Sequence, residues 1–476
     1  MEFSLVEQPW IPVLTDAGMD DRSLATVFAA DVVDLACGDI LEDAAILRLL
    51  IAIKIASAVE HLDPQQWLRG HEDRFDLFSA SYPFGQNPDM ARFVDLDRST
   101  RPLSAQSYAL AGNGSTAANQ FHTLAGVTFS PAAAARLLLM RQAFSVGGIQ
   151  QWPASAYGKD PCSAKTAVCT NRAFVWVDTG RLASTIDVNA QVGSAKPLGT
   201  FHFGWPDPDA HPPVLGQPTG VLDALTWPAR SIYLVPADPV QEVMICDGLR
   251  WPEPKEATAH TPQHEAELIP HAVFERKTKS APPTIQGVHV ERVPWRQLLT
   301  ALAAGQPEGT IMATLATRNT SPAGAVFRIA GLGSYQARID GPVTGSFPVP
   351  AAGVDIAALS DLITEAFVNH GSYFGSLAAA AGLTDRNQSS SLIGRLSQYS
   401  ALPAQLESIA ATAASGLYPL AEARRRVAAV VERANDAALH QFTPAHVVAA
   451  GRVAARKPNT LTPQPVTATK KPRKDS

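Results

Sequence analysis

Cysteine is scarce in this 476-residue chain. Its four residues, Cys37, Cys162, Cys169 and Cys246, are scattered with no Cys-x-x-Cys pair, which excludes a disulfide framework and a paired-cysteine metal site. With no basic stretch and apolar run at the N-terminus to serve as a leader, a reducing cytoplasm is the expected setting. Long apolar runs are missing too. The longest, residues 44 to 59, is broken by Arg48, Lys54 and Ser57, so no membrane span or membrane partner is expected. Nor does one sign of charge dominate: 39 Lys and Arg stand against 44 Asp and Glu, a formal net charge of −5. The molecule as a whole repels nucleic acid, and any such contact has to come from local basic surfaces. GxxxxGK[ST], HExxH and GxSxG are absent, which removes phosphate-loop, zincin and nucleophile-elbow mechanisms and leaves no cofactor to expect.

What is present reads as a folded protein, with 46% hydrophobic and 17% charged residues. Residues 42 to 61 carry Leu47, Leu50, Ile51 and Ile55 at helical spacing, predicting an amphipathic core helix. Ser130 as N-cap, Pro131 at the first position and an alanine-leucine interior predict a second helix over 131–144. From about 173 to 350 the pattern turns to short β-rich runs, AFVWVD, RSIYLV, GVHVERV and AVFRIAG, punctuated by proline and glycine. Stretches 205–218 and 251–283 read as surface loops. Beyond Val354 helical patterns cover 354–370, 389–415, 417–442 and 444–457. The expected fold class is therefore α+β: a large, irregular mixed lobe over 1–350, then an antiparallel four-helix bundle over 351–457. Residues 458–476, ending in Lys470, Lys471, Arg473 and Lys474, read as a disordered basic tail.

Several segments are candidates for chemistry. His260, His264 and His271 with Glu265 suggest a metal-dependent hydrolase as the alternative function, although Pro262 interrupts the helix face and a solvated loop explains the same residues. Residues 112–117 fit a loose GxGxxA pattern without the strand and helix that a dinucleotide site needs, so no cofactor follows from them. After the second helix come Gly147, Gly148, Ile149 and Gln150. Adjacent glycines let a backbone approach a partner closely, and a DNA minor groove is only about 6 Å wide. Read alone, the pair also serves as a helix C-cap with a following turn. Arg318, Asn319, Thr320, Ser321 and Pro322, between the strand-like IMATLA and AVFRIA, read as a hairpin tip or an ordinary turn. Arg424, Arg425, Arg426 and Arg433, with Arg452 and Arg456, offer phosphate contacts or simply a solvated helix face. Phe121, alone among alanines, is by itself a core residue.

Landmarks in a fixed order add to this. The chain opens on EQPWIPVL (residues 7–14), then carries SYPFGQ (81–86), GSTAANQF (114–121), the glycine pair, Leu-Thr-Trp-Pro (225–228) and a helical C-terminus. In this order they resemble the CasA family, the large subunit of the type I-E CRISPR Cascade complex. The resemblance implies a non-enzymatic subunit of a crRNA-guided complex, with other Cascade subunits, crRNA, duplex target DNA and a helicase-nuclease as partners. It implies that the loop at Gly147, Gly148, Ile149 and Gln150 reads the protospacer-adjacent motif through the minor groove. It makes Arg318 to Pro322 a wedge between the first target base pairs, although Thr320, Ser321 and Pro322 stand where the family usually has Asn-Gln-Ala. It places Asn119, Gln120 and Phe121 on the crRNA handle and makes the bundle arginines a surface for DNA or partner. The cysteine cluster of some relatives is missing, so no structural zinc is expected, and no counterpart to the family's motif-reading lysine is assigned.

Overall fold

The computed structural model describes residues 1–95, 100–107, 127–150, 162–164, 166–170, 172–191, 198–205, 214–252, 261–276, 281–287, 293–317, 324–335, 338–380 and 401–439. Trp10 organises the start. It is only 1% exposed, and its Nε1 donates to the Leu5 carbonyl at 2.9 Å as the chain enters strand β1 (Ile11–Thr15). β1 lies between β2 (Gly18–Arg22) and β3 (Val32–Leu35), antiparallel to both. Pro12 thus sits in the central strand, although proline is ordinarily confined to sheet edges. It is paired with Asp21 on one side. On the other, its carbonyl accepts the Ala36 N–H at 2.9 Å, just past the end of β3, so the β3 ladder starts at Val13 and does not need the missing donor.

Helix α1 (Ile40–Val59) is started by Asp39, whose carboxylate accepts the Leu41 N–H at 2.9 Å. The expected stripe of Leu47, Leu50, Ile51 and Ile55 is buried, but so are Ala44, Ile46, Leu49, Ile53 and even Arg48. The helix is therefore enclosed rather than amphipathic, as an all-round apolar helix must be. Around it pack α2 (Pro64–Gly70), α3 (Pro131–Phe144), α4 (Leu182–Ala190) and α5 (Val221–Thr226). Arg48 is accommodated by donating to Cys169 Sγ at 2.7 Å and to the carbonyls of Ala224 and Leu225, with its guanidinium 5.4 Å from the centre of the Phe174 ring. α3 begins as expected, with Ser130 Oγ accepting the Ala133 N–H at 3.3 Å.

After α3 comes an antiparallel ribbon of β4 (Gly148–Gln150) and β5 (Cys162–Ala164). A three-stranded sheet has β9 at its centre, flanked by β6 and β10; these are Val326–Tyr335, Phe174–Asp178 and Arg338–Pro348 respectively. In another, β8 (Glu242–Asp247) pairs with β7 (Arg230–Leu234) and with the short strand Arg101–Pro102. The stretch 251–283 departs from the surface loop expected of it. It contains α6 (Pro262–Leu268), capped by Thr261, and Ala266, Leu268, Ile269, Ala272, Val273 and Phe274 are buried, because its apolar residues supply core. α7 (Pro294–Ala304) and α8 (Ile311–Thr317) follow. Strand-like GVHVERV falls largely on residues 288–292, outside the described set.

The chain divides into two compact units, Met1–Val349 and Pro350–Ser476. All eight tryptophans fall in the first. The described part of the second is helical: α9 (Ile356–Ala380), α10 (Leu402–Ala414) and α11 (Leu420–Leu439). They pack through Leu359, Leu362, Ile363 and Ala366 of α9, Leu406 and Ala410 of α10, and Ala423, Val427 and Val431 of α11, all buried. α9 continues ten residues past His370, the end expected from the sequence pattern. Residues 389–400, the expected helix at 444–457 and the tail at 458–476 lie outside the described residues. A mixed α/β lobe followed by a helical block is the fold class expected from sequence. No helix among the described residues is long and apolar enough to cross a membrane.

Candidate nucleic-acid interface

The glycine segment leaves α3 without a glycine cap. Ser145 ends the helix in extended conformation (φ −67°, ψ 131°), and the chain runs on through Val146 and the half-exposed Gly147 into β4. This sets aside the reading of the pair as a left-handed helix stop. It also turns the expected open bend into the root of a ribbon, because Gly148 pairs with Ala164, Ile149 with Ser163 and Gln150 with Cys162. The root is held from below. Ser145 carbonyl accepts the Thr170 hydroxyl at 2.7 Å and the Ala167 N–H at 2.9 Å, and Val146 carbonyl accepts Arg230 Nη2 at 2.8 Å.

That last contact exposes a cationic floor that sequence reading missed. Arg230 is 1% exposed and donates through Nη1 to the Ala229 carbonyl at 2.7 Å. Gln142 of α3 fixes its backbone, accepting the Arg230 N–H at 2.8 Å and donating to its carbonyl at 2.9 Å. Asp247 Oδ1 lies 3.9 Å from Arg230 Nη1, while Asp247 Oδ2 takes Arg250 Nε at 2.9 Å. Arg141, one turn before the end of α3, is also buried. Desolvation, reinforced by Arg230, pulls its pKa down to about 9. A signal was available: Arg141 follows Leu137 and Leu138 and precedes Phe144 at the spacing of one apolar helix face.

The other sequence candidates separate. Residues 318–323, carrying Arg318, Asn319, Thr320, Ser321 and Pro322, lie outside the described residues, but their flanks do not form the expected hairpin. IMATLA belongs to helix α8 rather than to a strand, its start capped by Thr310 Oγ1 accepting the Ala313 N–H at 3.2 Å, so the segment joins a helix to β9. Asn119, Gln120 and Phe121, like residues 112–117, are outside the described set, as are Arg452 and Arg456. On α11, Arg424 is half-buried and Arg425 and Arg426 are exposed. Glu422 engages both of the latter, with Arg426 Nε 2.7 Å from Glu422 Oε1, and the two arginines hold the Glu422 carboxyl below its usual range. Arg426 also lies 5.1 Å over the Tyr418 ring.

Of the proposed metal set, His260 is outside the described residues. His264 is half-buried on α6, whereas His271 is buried with Nδ1 3.0 Å from the Val175 carbonyl and its ring 5.2 Å from that of Phe174. Among the described residues no three His, Cys, Asp or Glu side chains converge as a metal site. A cavity of about 40 Å³ beside α1, bordered by Arg48, Gln142, His202 and Trp227, has room for a few water molecules.

The family model for CRISPR-associated protein Cse1 matches residues 4–440. The chain belongs to the Cse1 family. Solved structures agree on the fold. CasA of Thermus thermophilus is 21% identical with a TM-score of 0.70, covering 96% of this chain and 98% of that one. Cse1 of Acidimicrobium ferrooxidans is 20% identical with a TM-score of 0.71, covering 96% and 97%. A chain from a structure described as "CRISPR RNA-guided surveillance complex" is 17% identical with a TM-score of 0.65, covering 92% and 99%. No curated protein matches the sequence. Three of the landmarks that pointed to the Cse1 family contribute scaffold residues. Trp10 is core, and Trp227 is buried with Nε1 donating to the Leu249 carbonyl at 2.8 Å. Gln86 of SYPFGQ is clasped between the Leu77 carbonyl (2.6 Å) and the Leu234 N–H (2.7 Å).

Proposed function

We propose that this chain is the non-catalytic large subunit of a crRNA-guided DNA surveillance complex, one that recognises a protospacer-adjacent motif through the minor groove. In this reading it promotes strand separation and R-loop formation and recruits the helicase-nuclease that cleaves. Other Cascade subunits, crRNA, duplex target DNA and that nuclease are its partners. Membership in the Cse1 family and the fold shared with a surveillance-complex chain support the assignment. The observation that carries the DNA role is the extended, side-chain-poor segment at Gly147 and Gly148, half-exposed at Gly147 and backed by the cationic Arg230. Such a backbone fits a groove about 6 Å wide, and protein reading of a short motif leaves the long sequence to base pairing.

Within the same reading, Asn119, Gln120 and Phe121 contact the crRNA handle, where stacking on an unpaired base is worth about 1–3 kcal/mol. Arg318 to Pro322 act at the first separated base pairs, and Arg424 with Arg452 and Arg456 face the displaced strand or a partner. Because Glu422 holds Arg425 and Arg426, a phosphate has to compete with that carboxylate for them. The test is Gly148→Asp in the assembled complex, followed by gel shift on motif-bearing and motif-free duplexes. The side chain and its charge should weaken motif-dependent binding at least about tenfold while assembly proceeds normally. Parental binding by the variant would sink the assignment.

A further inference from the structure

Arg141 differs from the other buried arginines that have been described. Arg48 satisfies its guanidinium with a sulfur, two carbonyls and an aromatic face, and Arg230 has two carbonyls and Asp247. Arg141 is 7% exposed, its Nε, like that of Arg230, has no hydrogen-bond partner, and unlike Arg230 its guanidinium meets no carboxylate among the described residues. The charged influence on it is repulsive, from Arg230, and Arg230 and Arg250 already share Asp247. A buried cation left this way is costly, and an anion entering from outside removes the cost. The surroundings favour one route. Gln142, the next residue to Arg141 on α3, holds both backbone groups of Arg230, whose Nη2 donates to the carbonyl of Val146, and the residue after Val146 is the half-exposed, side-chain-free Gly147.

We infer that Arg141, with Arg230 beside it, forms an oxyanion site under the glycine segment that takes a backbone phosphate of the DNA seated there. This rests on the DNA-binding reading and deepens it: the glycine backbone reads the groove while the buried guanidinium pair holds one strand's phosphodiester. Guanidinium is suited to the task because it presents several N–H groups in one plane to phosphate oxygens.

The test uses Arg141→Met, which keeps the length of the side chain and removes its charge. In chloride buffer the full-length variant should melt at or above the parental temperature, because an uncompensated buried charge has gone. Inorganic phosphate at matched ionic strength should raise the melting temperature of the parent and not that of the variant. In the assembled complex, Arg141→Met should bind target duplex about tenfold more weakly. The slope of log affinity against log salt should become shallower by about one. A variant that melts lower in chloride while keeping the parental affinity and salt slope would show a packing role and overturn the inference. If Gly148→Asp weakens binding and Arg141→Met does not, the phosphate site alone falls. If neither weakens it, the DNA reading falls with it.

Discussion

Glu42, in the first turn of α1, accepts Arg136 Nε at 3.1 Å, and the same arginine donates to the Trp10 carbonyl at 2.8 Å. Burial nevertheless pushes the Glu42 carboxyl up to about 7, Arg136 offsetting only part of that penalty. An unfolded glutamate titrates near 4.3, so between there and about 7 the folded chain holds a proton that the unfolded chain has released. The stabilisation is complete below the unfolded pKa and is lost as pH rises through the folded one. Glu42→Gln, fixed in the neutral form, should therefore flatten the fall in melting temperature between about pH 5 and pH 8. An unchanged pH slope in thermal melts would mean that Glu42 is ionised throughout. At this scale some residues declared themselves in the sequence and others did not. Ser130 and Pro131 announced a helix start because capping is local chemistry. Arg141 signalled burial only through its spacing, a weak sign because a long basic side chain at the margin of an apolar stripe usually carries its charge out to water.

Elements were legible in proportion to their length. α1 and α3 span several turns, so their periodicity stands out, whereas α6 and α8 have seven residues each and too few repeats to declare a period. IMATLAT reads as a strand because of its Ile and Thr content, and the deciding hydrogen bond comes from Thr310, outside the motif. Pro12 makes a related point: whether a missing N–H matters depends on where the neighbouring strand stops, which only the fold decides. The enclosure of α1 makes a firm energetic prediction. Leu50 is fully buried, and Leu50→Ala should cost about 2–5 kcal/mol of unfolding free energy, read from the shift in urea midpoint at constant slope. A loss below about 1 kcal/mol would mean that its surroundings collapse to fill the space.

At the scale of the whole molecule, the family landmarks conveyed fold more readily than function, since Trp10, Gln86 and Trp227 are all interior. These three mark how the first unit packs and do not identify the groups that reach a partner. The division of the chain into Met1–Val349 and Pro350–Ser476 predicts its unfolding behaviour. Tryptophan fluorescence and far-ultraviolet dichroism, followed through the same denaturant titration, should give different midpoints, because separately packed units need not unfold together. Coincident curves would show that they do. The placement of the tryptophans then has a practical consequence. Because the indoles all belong to one unit, intrinsic emission works as a built-in one-sided reporter. Dichroism answers to helices α1–α8 of that lobe as well as to α9–α11 and does not by itself assign a contact to one unit, whereas a partner that dims the emission has engaged the mixed lobe.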